Sequence, residues 1–128
     1  MAQAGNDASW SGLGVFDERK VRAYEGGNLT RLGLHEEAIA VLDDALESLG
    51  PDMPRHRCAA LADRAGAHHN AGDVDAACAD ASEASAIAVR VGHQHTVRRI
   101  TRLARRTLTS QAAGAGGLWI DVLAAISI

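Results

Sequence analysis

Aromatic side chains are almost missing from this chain of 128 residues: two Trp, one Tyr and one Phe amount to 3% of it. Strands draw on aromatic and β-branched residues, whereas alanine and leucine, which carry much of the 47% hydrophobic share, lead the helix scale. The scarcity excludes a sheet-built core and points to closely packed helices. It also removes the stacking platforms on which single-stranded nucleic acid is held. Cysteine is equally sparse. Cys58 and Cys78 make neither a disulfide framework nor a metal site. In an antiparallel helix pair turning near Gly72, Cys58 lies 14 residues before the turn and Cys78 lies 6 after it. At about 1.5 Å per residue their levels differ by roughly 12 Å, beyond disulfide reach. Both are expected as buried small residues. No apolar run reaches the roughly 18 residues of a membrane span, so no membrane role is expected. The start, MAQAGNDASW, has neither the basic nor the apolar region of a secretion signal, which places the chain in the cytoplasm.

Chemistry-bearing patterns are absent too. No Gly-rich phosphate loop sits between a strand and a helix, and no nucleophile motif occurs. Of the six histidines, His93 and His95 lie two apart in a loop, while His68 and His69 point to different helix faces. None has the i, i+4 partner or cysteine companions of a zinc site, and His68 reads as a packed histidine. The expectation is no enzyme, no metal and no cofactor.

What is present is a repeat. "RLGLHEEAIAVLDDALESLGPD" and "NAGDVDAACADASEASAIA" share one grammar: Gly33, Ala38 and Ala45 fall on Gly72, Ala77 and Ala84 at a constant offset of 39, and Leu42 falls on Ala81. Such self-similarity marks stacked supersecondary units. Each unit reads as two helices. Asp17 caps the first, running to about Leu32 through Val21, Tyr24, Leu29 and Leu32, and Gly33 supplies the left-handed end. The second runs from His35 to Leu49, with Glu36 and Glu37 in its first turn and Ala38, Val41, Leu42, Ala45, Leu46 and Leu49 at helical spacing. Both prolines are punctuation: Gly50-Pro51 stops this helix and Pro54 opens the next, through Leu61, Ala65 and His68 to Ala71. Gly72 breaks it, and Asp73 caps a fourth helix through Val74, Ala77, Cys78, Ala81, Ala84 and Ile87 that closes near Gly92. A fifth, His95 to Leu108, has Val97, Ile100, Leu103, Ala104 and Leu108 on one stripe and reads as a capping helix, polar on its far side. Ala38, Ala77, Gly26 and Gly66 are the small residues expected to let helices approach closely.

The run Gly26, Leu29, Gly33, Ala38, Leu42, Ala45, with Gly50-Pro51 after it, resembles the tetratricopeptide (TPR) repeat, and Leu61, Ala65, His68, Gly72, Ala77, Ala81, Ala84 resembles a degenerate second copy. Arg22 stands at the family's first aromatic position, and Leu29 and His68 stand at the second. Over about residues 10 to 108 the chain is similar to the C-terminal TPR-like domain of actinobacterial helix-turn-helix transcriptional regulators of the lambda-repressor type. The resemblance implies an all-α fold of antiparallel helix hairpins stacked as a short right-handed superhelix. It also implies a function: binding of a protein or peptide, as the sensing or dimerisation domain of such a regulator. Only about 16 residues precede the first helix, so the expectation is that domain without its DNA-binding module; the alternative is a stand-alone adaptor. The organisation expected is an extension over 1–16, repeats over 17–50 and 53–92, a capping helix over 95–109, and a Gly/Ala linker with an apolar tail over 110–128.

In TPR geometry the first helix of each pair lines a concave face. The candidate binding residues are then Lys20, Ala23, Gly27, Thr30 and Arg31 from the first repeat, Ala62, Gly66, His69 and Asn70 from the second, and Arg98, Thr101 and Arg105 from the fifth helix. Small residues ringed by basic ones suit an acidic or carboxylate-bearing peptide. The family's lysine-asparagine carboxylate clamp is not reproduced.

The net charge of -3 hides a division: residues 1–89 hold 7 Lys/Arg against 15 Asp/Glu, a balance of -8, and residues 90–128 hold 6 against 1, a balance of +5. Pairing of the arginine-rich fifth helix with the acidic helix His35–Leu49 of the same or another chain is expected, and direct nucleic-acid binding is not. The tail LWIDVLAAISI, charged only at Asp121, would be an aggregation liability if exposed. Two outcomes remain open: a short strand or helix against the array, or a homodimer contact through residues 118–128.

Overall fold

The computed structural model describes residues 17–109 and 116–126; the expected extension over 1–16, residues 110–115 of the linker and the last two residues lie outside the described residues. Asp17 opens the first helix as expected: its carboxylate accepts the Arg19 N–H at 2.9 Å. Asp73 does the same for the fourth, accepting from Ala76 at 3.1 Å. Six helices result among the described residues: α1 (Glu18–Arg31), α2 (His35–Ser48), α3 (Pro54–Asn70), α4 (Val74–Val91), α5 (Gln94–Thr109) and α6 (Gly116–Ile126). No strand occurs among the described residues.

The two glycines matched by the repeat do the same work. Gly33 and Gly72 adopt φ of +80° and +86°, the left-handed region that glycine enters without steric cost. After each, the next N–H reaches back to close the helix: Leu34 to the Leu29 carbonyl at 3.0 Å, and Asp73 to the His68 carbonyl at 2.9 Å. This double closure satisfies carbonyls that the helix end would otherwise orphan.

Side-chain pairings fix the helix directions. Arg22 meets Asp44 while Gly26 abuts Leu42, so α1 and α2 run antiparallel. Arg57 meets Glu83 and Arg64 meets Asp80, so α3 and α4 do likewise. Gly27 abuts Asp63 on α3, Thr30 lies over Gly66, and Asp63 meets Arg99 on α5, which sets α1, α3 and α5 side by side and parallel. The small residues permit this. A Cβ on Gly26 would lie 2.4 Å from Leu42 Cγ, so α1 approaches α2 only as glycine. Gly66 differs from expectation: a Cβ there would meet Thr30 Cγ2 at 3.5 Å, an ordinary contact. Ala38 and Ala77 are wholly buried. Replacing either by Leu is expected to cost about 1–3 kcal/mol through overpacking, measured as a lower urea midpoint; an unchanged midpoint would refute close packing at these positions.

Three expectations are corrected. Val21, Tyr24 and Leu32 do not form the buried stripe of α1. They are 49%, 61% and 72% exposed, and Ala23, Gly26 and Gly27 are buried instead. The two neighbouring helices come too near for large side chains, so the small face is the inner one. Second, α5 is not the last helix of the array: α6 packs on α4 and α5, and Trp119 and Val122 join the core, while the outer face of α5 is polar as expected, with Arg98 and Arg105 exposed. The apolar tail is thus a helix against the array, with Ile120 left exposed. Third, within one chain the acidic α2 does not take the arginines of α5. Asp43 and Asp44 bind Arg64 and Arg22, and Arg99 turns to Asp63.

Other expectations match. Cys58 and Cys78 are free and buried. His68 is a partly buried histidine, its Nε2 3.7 Å from Asp80. Arg57 caps α2 from the side, donating to the Leu46 and Leu49 carbonyls at 3.2 and 2.7 Å.

Candidate anion-binding cleft across the first helices

Three helices meet at one polar concavity. Thr30 from α1, Ala62, Gly66 and Asn70 from α3, and Arg99, Arg102, Leu103 and Arg106 from α5 line a cleft of about 220 Å³. The register of α5 explains which arginines reach it. Its buried line is Thr96, Ile100, Leu103, Ala104 and Thr107. At 100° per residue, Arg99, Arg102 and Arg106 fall on one flank of that line, and Val97, Thr101 and Leu108 on the other. Arg98 and Arg105 lie opposite it and are exposed.

The candidate residues divide accordingly. Thr30, Ala62, Gly66 and Asn70 line the cleft. Arg31 is exposed beside it, donating to Asn28 Oδ1 at 2.7 Å. Ala23 and Gly27, expected to face outward, are buried. A Cβ on Gly27 would stand 2.6 Å from Asp63 Oδ2, so this glycine makes room for that carboxylate. Lys20 belongs to a separate hollow with Asp52, Met53 and His56. Thr101 donates to the Val97 carbonyl at 2.8 Å. Neither it nor Arg98 nor Arg105 lines the cleft; the fifth-helix residues that do are Arg99, Arg102, Leu103 and Arg106.

The electrostatics of the cleft are uneven. Asp63 is buried beneath α1, and Arg99 forms an ion pair with it. Arg102 and Arg106 have no ion-pair partner among the described residues. His69 sits beside Asn70 on α3, its Nδ1 fully buried without a hydrogen-bond partner among the described residues. Burial, and then the charge of Arg106, hold His69 below the usual imidazole range against the opposing influence of Asn70. Two guanidinium groups are left uncompensated over an apolar floor of Leu103 and Ala62. Such an arrangement attracts and orients an oxyanion by charge-assisted, forked hydrogen bonds.

No family model, curated protein or solved structure matches the chain. Among the described residues no group of three or more His, Cys, Asp or Glu is placed to hold a metal ion, and no helix is long and apolar enough to cross a membrane.

Proposed function

We propose that the chain is a protein- or peptide-binding module of the TPR-like class, its two hairpins and α5 wound as a right-handed superhelix, with α1, α3 and α5 presenting the binding face. The resemblance noted in the sequence extends the proposal to the sensing or dimerisation domain of a bacterial transcriptional regulator. One observation carries the reading: the cleft spans all three first helices, and its uncompensated arginines favour an acidic partner. Hydrogen bonds to charged groups contribute about 1.5–3 kcal/mol each, so losing one weakens binding at least about tenfold.

A library of ten-residue peptides offered to the ¹⁵N-labelled chain tests this. Acidic peptides are expected to bind best, to shift amide resonances of α1, α3 and α5, and to weaken as salt rises. Reversing Arg102 and Arg106 to glutamate should lower their affinity at least about tenfold. Shifts confined to α2 and α4, or no preference for acidic peptides, would refute the proposal.

A further inference from the structure

The charge balance of the cleft says more than that its ligand is acidic. A single carboxylate would neutralise one of Arg102 and Arg106 and leave the other facing it unpaired. A phosphate monoester carries about -1.5 to -2 at neutral pH and three acceptor oxygens, which matches both guanidinium groups at once. We propose that this cleft is a subsite for the phosphoryl group of a phosphate monoester, held between Arg102 and Arg106. The proposal rests on the reading of α1, α3 and α5 as a binding face and narrows it to one ligand chemistry.

Three features of the site support the assignment. Arg102 and Arg106 are four apart on one helix and line the same concavity, so one group seated there is within reach of both. Arg99 is held by Asp63, itself buried under Gly27, so the remaining positive charge is concentrated on the two unpaired arginines. The volume of about 220 Å³ exceeds a bare phosphate yet falls below the roughly 300 Å³ at which complete small-molecule sites begin. It suits one charged group of a larger ligand, and a phosphorylated side chain on a segment lying along the face is the source that fits best. Leu103 and Ala62 beneath the group exclude water from one side, which strengthens the charge pairing.

The test uses the full chain and a ten-residue Ala/Gly peptide bearing one phosphoserine. The same peptide with Ser, the same peptide with Asp, inorganic phosphate and phenyl phosphate serve as comparisons. Affinity is read by isothermal titration and the site by amide shifts. The phosphopeptide is expected to bind at least about tenfold tighter than the Ser and Asp peptides. Arg102→Ala and Arg106→Ala should each remove at least about tenfold of that affinity. Arg98→Ala and Arg105→Ala, which do not line the cleft, should each cost clearly less than that, and circular dichroism confirms that every variant is folded.

Equal affinity for the phosphoserine and Asp peptides, or equal losses in all four arginine variants, overturns the phosphoryl subsite. If those equally bound peptides still shift amides of α1, α3 and α5, the module reading stands without it. Saturable shifts of the cleft amides by phenyl phosphate, lost in Arg102→Ala, with no binding by any peptide, would keep the phosphoryl subsite, assign a small phosphorylated molecule as its source and overturn the peptide-binding reading.

Discussion

Trp119→Ala is expected to cost about 3–5 kcal/mol, the range for removing a large buried aromatic side chain. Trp119 is fully buried, the largest such side chain among the described residues, and with Val122 it anchors α6 to α4 and α5. α6 has 11 residues, too few to persist as an isolated helix, so its structure depends on this docking. Against a total stability of about 5–15 kcal/mol for a domain of this class, such a loss is large. The indole N–H gives the prediction a second edge. Nε1 is buried without a partner among the described residues, and an unsatisfied buried donor costs about 1–3 kcal/mol. Trp119→Phe gives up volume but also removes that penalty, and should stay within about 1.5 kcal/mol of the parent. Urea melts of the two variants separate the ideas. A Phe variant as unstable as the Ala variant would mean that the indole N–H has a partner after all. An Ala variant with an unchanged midpoint would mean that α6 is not docked.

The helix pattern was legible in the sequence because its punctuation is chemical. Asp17, Gly33, Pro54, Gly72 and Asp73 each satisfy a backbone requirement at one position, and a single sequence displays such requirements directly. Which face of a helix turns inward was harder to read. In α1 the rule that large apolar residues lie inside holds only in part: at the approach set by Gly26 against Leu42 the buried residues are Ala23, Gly26 and Gly27, and of the large apolar ones Leu29 alone packs against the core, partly buried. In α5 the apolar stripe drawn through Val97 and Leu108 leans to one flank. The buried line includes Thr96 and Thr107, which are wholly enclosed. Cys58 Sγ lies 3.8 Å from the Thr96 hydroxyl, and the Thr107 hydroxyl donates to the Leu103 carbonyl at 2.9 Å. A threonine whose hydroxyl has its partner inside the array, in its own helix for Thr107 and on α3 for Thr96, packs as an apolar residue. Counting both as core would have turned the helix enough to bring Arg99, Arg102 and Arg106 to the cleft in place of Arg98 and Arg105. The Asp63–Arg99 pair left no such trace, because its partners are 36 residues apart and meet only through helix stacking.

Asp80→Ala is expected to cost about 3 kcal/mol, the lower end for breaking a buried ion pair. Arg64 is the hub of the α2, α3 and α4 junction. Its Nε and one terminal nitrogen donate to the two Asp80 oxygens at 2.7 and 2.8 Å, and the other terminal nitrogen donates to Asp43 at 2.9 Å. The Asp80 side chain is 9% exposed and that of Arg64 23%. The hydrogen bonds to Asp80 hold Arg64 even more firmly in its charged form than burial opposes it. Removing the carboxylate therefore leaves a cation that cannot neutralise itself. Its partial exposure and the remaining Asp43 contact keep the loss at the low end. The pair itself contributes less than this figure suggests, because desolvating both ions offsets most of their attraction. Arg64→Met combined with Asp80→Leu should accordingly recover most of the stability lost in Asp80→Ala. A double-mutant cycle by urea denaturation measures both quantities. A double variant as unstable as Asp80→Ala would show instead that Arg64, through Asp43, holds α2 against α3 by a contact that apolar packing cannot replace.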